Sequence, residues 1–112
     1  VQIQNPSSTQ GKVLLALYDT ETNFLGKPVD STMIDAKDDK LLAVFKALKP
    51  GQYAISVFHD ENNNGKMDRN PFGMPTERYG FSNNAQGNFG PPSYKQTVFE
   101  LKDDQTITIT LR

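Results

Sequence analysis

Thr106-Ile107-Thr108-Ile109-Thr110-Leu111 is the stretch from which the fold class reads most plainly. Three apolar side chains alternate with three threonines, the period of two that sets one apolar face of a strand on a core and leaves a β-branched polar face outside. Upstream, Tyr53, Ile55 and Val57 alternate with Ala54, Ser56 and Phe58. Lys12–Tyr18 is an almost continuous apolar run, as expected of a strand buried on both faces, and residues 27–34 form a weaker strand after the turn-forming Asn23 and Gly26. Short runs of this kind, separated by Gly, Pro, Asp and Asn, are the pattern of a sandwich and not of alternating βα units. The expected fold is all-β: a single antiparallel β-sandwich domain over residues 1–112, with one long irregular loop, residues 60–94, between strands.

Residues 41–48 read two ways. Leu41, Val44, Phe45 and Leu48 stand at helical spacing behind possible caps at Asp38 and Asp39, whereas Leu41, Ala43, Phe45 and Ala47 share a strand face. Lys49-Pro50-Gly51-Gln52 then reads as a tight turn, so a strand that makes a hairpin with the next one is the preferred reading.

Composition narrows the function classes. The chain has 112 residues and 36% hydrophobic content, enough for one modest core. Its net charge of -1, from 12 basic and 13 acidic residues scattered along the chain, carries no electrostatic footprint for nucleic acid. Without cysteine there are no disulfides, thiolate metal sites or cysteine nucleophiles, so a bound metal must be held by oxygen. The longest apolar run, Val13-Leu14-Leu15-Ala16-Leu17, is too short to span a bilayer. Val1-Gln2-Ile3-Gln4 lacks the basic start and apolar middle of a signal peptide, which is consistent with a leader already removed.

The chemistry concentrates after Phe58. Asp60-Glu61-Asn62-Asn63-Asn64-Gly65-Lys66-Met67-Asp68 sets side-chain oxygens at relative positions 1, 3, 5 and 9, with Gly at position 6. Calcium takes six to eight oxygens; a tightly wound loop aims alternate side chains inward, and glycine makes the sharp turn. The expected ligands are Asp60, Asn62, Asn64, the Lys66 carbonyl and Asp68. Position 12 is Pro71, not the bidentate Glu of an EF-hand; Glu77 is the nearest later acid to close the shell, with Glu61 or the carbonyls of Arg69 and Asn70 as other possibilities. Two assured carboxylates suit the affinity of extracellular modules, roughly 10⁻⁴–10⁻³ M, so the site would fill outside a cell. Magnesium fits less well because it keeps its waters. The competing reading is a solvated Asn/Asp turn that caps its own backbone.

His59 is the single histidine, and it directly precedes Asp60. A general base or metal ligand there is weighed against a histidine that orients the loop, and the second reading is preferred. Ser56, Ser82 and Ser93 lie in no nucleophile-elbow pattern, so the chain reads as a non-enzyme. Phe72, Tyr79, Phe81, Phe89 and Tyr94, interleaved with glycines and prolines, argue against disorder. They form either a satellite cluster tucked under the loop or an exposed platform for a sugar or peptide.

Several rare words occur in order: Lys49-Pro50-Gly51-Gln52-Tyr53, His59-Asp60-Glu61-Asn62, Gly73-Met74-Pro75-Thr76-Glu77, Tyr79-Gly80-Phe81-Ser82-Asn83-Asn84-Ala85 and Gly90-Pro91-Pro92-Ser93. With them the chain resembles the domain of unknown function 2141 family over most of its length. The resemblance implies an exported bacterial protein of sandwich type, similar to transthyretin-like, carboxypeptidase-regulatory-like or immunoglobulin-like domains, with no established activity. Arg78 departs from the small residue expected before Tyr79, which puts in doubt any ligand contact made through a glycine there.

The leading expectation is an extracytoplasmic, periplasmic or secreted, binding or structural module whose loop is ordered by calcium and faces an envelope or extracellular partner. The rivals are a carbohydrate- or peptide-binding module using Tyr79, Phe81, Phe89 and Tyr94, and an enzyme using His59 with Asp60 or Glu77.

Overall fold

The computed structural model describes residues 1–4, 6, 9–37, 41–46, 48–60, 78–86, 92–103 and 105–111. Most of the regular structure is β. In chain order the strands are β1 (Gln2–Gln4), β2 (Lys12–Tyr18), β3 (Asp30–Asp35), β4 (Gly51–Asp60), β5 (Tyr79–Phe81), β6 (Phe99–Leu101) and β7 (Thr108–Thr110). A single 3-10 turn, Ser82–Asn84, and a one-turn helix, α1 (Tyr94–Thr97), lie between β5 and β6.

The strands form two sheets. The larger runs β3-β2-β4-β5 with antiparallel pairing, and β6 pairs with the first residues of β4. The smaller pairs β1 with β7, in parallel. That pair departs from the expected wholly antiparallel arrangement. Its two strands come from opposite ends of the chain, so no hairpin constrains their relative direction.

The period-two patterns explain the core. Val13, Leu15 and Leu17 of β2 and Tyr53, Ile55 and Val57 of β4 face inward, and Ile3, Ile109 and Leu111 from the smaller sheet join them in one cluster. The second face of β2 is only half-buried at Leu14 and Ala16, so this strand is not buried on both faces throughout. Within residues 27–34 the regular strand begins at Asp30, one residue after the Val29 N–H donates to the Leu17 carbonyl, because a turn with Leu25 at φ 61° and hydrogen bonds back to Asn23 occupies the preceding residues.

Residues 41–46 are extended and alternate buried with exposed, which excludes the helical reading. Their neighbour is β1 and not β4: the Ile3 N–H donates to the Leu41 carbonyl and the Ala43 N–H to the Val1 carbonyl, while Gln2 and Leu42 form an isolated bridge. The expected hairpin through Pro50-Gly51 is therefore absent among the described residues. Gly51, Gln52 and Tyr53 pair instead with β6.

The expected irregular loop over 60–94 is corrected only at its described residues, since 61–77 and 87–91 lie outside them. β4 continues through Asp60, and β5, the 3-10 turn and α1 lie inside the interval. β5 is too short, and too interrupted by Gly80, for its alternation to stand out.

Candidate functional site

Strand alternation sends the last two residues of β4 to opposite faces. His59 follows Ile55 and Val57 toward the core and is 0% exposed, while Asp60 follows Ser56 and Phe58 and is 1% exposed. His59 Nε2 lies 2.6 Å from the Gln10 carbonyl. A carbonyl only accepts, so Nε2 carries the hydrogen and donates it. The His59 N–H bonds the Arg78 carbonyl at 2.9 Å, and Arg78 Nη1 reaches the Pro6 carbonyl at 3.4 Å. His59 thus ties β4 to the segment before β2 and to the residue before β5. Arg78, where the resemblance expects a small residue, reaches toward the N-terminal segment.

Asp60 stands at the end of a charged row. Register sets Asp35, Lys12 and Asp60 side by side across β3, β2 and β4. Lys12 Nζ is 3.4 Å from Asp35 Oδ2. The Lys37 N–H donated to Asp35, with the ammonium groups of Lys12 and Lys37, holds the Asp35 carboxyl below the usual carboxylate range against a smaller opposing effect of desolvation. Of the expected calcium ligands only Asp60 is described. Asn62, Asn64, Lys66, Asp68 and Glu77 lie outside the described residues, as does Phe89 of the aromatic set. Among the described residues no three His, Asp or Glu side chains gather as a metal cluster.

The remaining aromatic candidates are brought together by a residue that the sequence reading missed. Phe24, from the turn between β2 and β3, stacks edge-on with Tyr18 at 5.4 Å and with Tyr94 at 5.6 Å, and lies 6.4 Å from Phe81. Tyr79 and Phe81 meet edge-on at 6.0 Å. A large aromatic in the otherwise polar turn Thr20-Glu21-Thr22-Asn23 is the one signal that pointed to it. Phe81 is 6% exposed, so it is a packing residue and not an open stacking face. Burial, followed by the Asp19 and Glu21 carboxylates, raises the Tyr94 phenol above its ordinary value. The hollow beside Tyr79, Phe81 and Thr110 holds only about 80 Å³, well below the ~300–1,000 Å³ of most small-molecule sites.

The Ser82-Asn83-Asn84 word is an assembly of hydrogen bonds. The Ser82 hydroxyl accepts from the Ile55 N–H at 3.0 Å and donates to the Thr97 carbonyl, filling the place along β4 between β5 and β6. Asn83 and Asn84 adopt positive φ, which asparagine tolerates better than most residues. Asn83 Nδ2 donates to the Gln96 and Val98 carbonyls, and Asn84 Oδ1 accepts from the Thr110 N–H. Ser93 and Gln96 close a capping box at the start of α1.

A family model described as an uncharacterized protein conserved in bacteria, DUF2141, matches residues 1–109. No curated protein and no solved structure matches the chain.

Proposed function

The chain belongs to the DUF2141 family of uncharacterised bacterial proteins, and we propose that it is a non-catalytic β-sandwich module of the extracytoplasmic space whose segment after Asp60 binds calcium. The observation that carries this reading is Asp60 itself. A ten-residue strand delivers a carboxylate, 1% exposed, to the first position of the oxygen-bearing spacing. Carboxylate oxygens are the ligands that calcium favours.

The two sheets sharing one apolar cluster support the sandwich. The non-catalytic reading is supported by His59, whose Nε2 is committed as a donor to the Gln10 carbonyl. The extracytoplasmic setting rests on the family resemblance and on the modest affinity expected from two carboxylates. No helix among the described residues is long and apolar enough to cross a membrane. Calcium here is structural: its coordination offsets the entropy of ordering a segment rich in Asn and Gly.

Thermal unfolding of metal-stripped protein tests the reading, with chelator, calcium or magnesium present. Calcium at about ten times its Kd stabilises by roughly 1.4 kcal/mol, and the midpoint rises accordingly with calcium but not with magnesium. The rise disappears in Asp68→Ala, and in Asp60→Ala if that variant folds. A wild-type midpoint that calcium leaves unmoved would overturn the calcium site.

A further inference from the structure

A cleft of about 840 Å³ opens at one end of the shared core. Its lining includes the buried Leu17 and Ile55, 0% and 2% exposed, and the half-buried Phe45, Phe99 and Leu101. Packed interiors leave few voids larger than a water molecule, whereas this volume lies within the ~300–1,000 Å³ typical of small-molecule sites. Two further wall residues, Leu42 and Val44, leave 52% and 60% of their surface in water. An apolar occupant would cover such surface favourably.

The distribution of polarity selects the ligand class. The polar side chains described in the lining, those of Lys46, Lys102, Asp103, Gln105 and Thr106, are all exposed, whereas its buried residues, Leu17, Ala43 and Ile55, are apolar. A sugar or nucleotide would set hydroxyls and amides against those apolar walls. The exposed Lys46 and Lys102 share the lining with one described carboxylate, Asp103. Lys102 also lies 4.0 Å from Glu100, but that pair is widely exposed and so exchanges readily for another anion.

We propose that this cleft binds a single-chain amphiphile with an anionic head, a long-chain carboxylate, with its chain between the sheets and its head beside Lys46 and Lys102. None of the proposed calcium ligands is in the described lining of this cleft, and binding there needs no metal.

Isothermal titration with palmitate below its micellar range, in the presence of chelator, tests it. Wild type takes up one palmitate saturably, and hexadecanol, which lacks the charge, binds about tenfold more weakly. Octanoate is weaker than palmitate because its shorter chain buries less apolar surface. Lys46→Glu/Lys102→Glu lowers palmitate affinity by about tenfold, and Val44→Trp, made at an exposed position that needs no repacking, lowers it by about fivefold through filling the cleft. Wild type with a native melting transition and no saturable binding would overturn the proposal. So would equal affinities for palmitate and hexadecanol, or a palmitate affinity that neither variant changes.

Discussion

Gly80 shows how one residue can fix the distance between two strands of different sheets. A Cβ at this position would lie 2.7 Å from Ile109 Cγ2 and 3.1 Å from the Thr110 carbonyl oxygen. The carbonyl belongs to a paired strand and cannot yield as a side chain tip can. Gly80→Ala should therefore destabilise the fold by about 1–3 kcal/mol, measured by urea unfolding, as overpacking does elsewhere. Tyr94 carries a pH signature. Its folded pKa is raised above 10.0 by burial and by Asp19 and Glu21, so the folded state holds the phenolic proton more tightly than the unfolded chain. The linked stability is fully present below the unfolded value and is lost as pH rises through the folded one. The expected outcome is an alkaline loss of stability that Tyr94→Phe diminishes, read by denaturant titrations across that range. An alkaline loss of the same size in the Tyr94→Phe variant would remove Tyr94 from that role.

At the scale of elements, β5 and β6 act as two halves of one neighbour to β4. The ladder breaks between them, and the Ser82 hydroxyl supplies the acceptor for the Ile55 N–H while donating to the Thr97 carbonyl. Both Ser82 and Thr97 are fully buried. Ser82→Ala leaves a buried N–H and a buried carbonyl without that partner, and the expected cost is about 1–3 kcal/mol in chemical denaturation. Amide exchange at Ile55 should quicken more than at Leu15 in the neighbouring strand β2, which distinguishes loss of this bond from general weakening. The edge strand β3 shows a different management of an element. It leaves Met33 58% exposed and carries Asp30 and Asp35 at its ends, charges that discourage strand pairing with another chain.

Across the molecule, the chain ends close the core together. β1 and β7 pair with each other in parallel, and Ile3 lies in the same cluster as Leu15, Val57 and Ile109. Ile3→Ala should cost about 2–5 kcal/mol in thermal or urea unfolding, as for other buried large-to-small changes. A cost below about 1 kcal/mol would mean that the terminal strand is not part of the cooperative unit. The strands at Lys12–Tyr18, Gly51–Asp60 and around Ile109 were legible in the sequence, the first as a nearly continuous apolar run and the other two because side chains of period two report their own burial. So was the oxygen spacing from Asp60 to Asp68, since calcium chemistry is written in local order; whether it holds the ion is for the calcium titration to decide. Three-residue strands such as Tyr79–Phe81 and Phe99–Leu101 carry too few residues to show a period, and their pairing with β4 is set by distant partners. The same holds for Phe24, whose role as the hub of Tyr18, Phe81 and Tyr94 depends on three elements meeting. Residues 41–46 were ambiguous because both periods fit a short apolar run, and contact with Val1 and Ile3 chose the extended form. The β class could be read from chain order because it depends on neighbouring residues. The parallel closure of β1 on β7, the burial of His59 and the cleft above Leu17 and Ile55 emerged only on folding, because each depends on groups that chain order holds far apart.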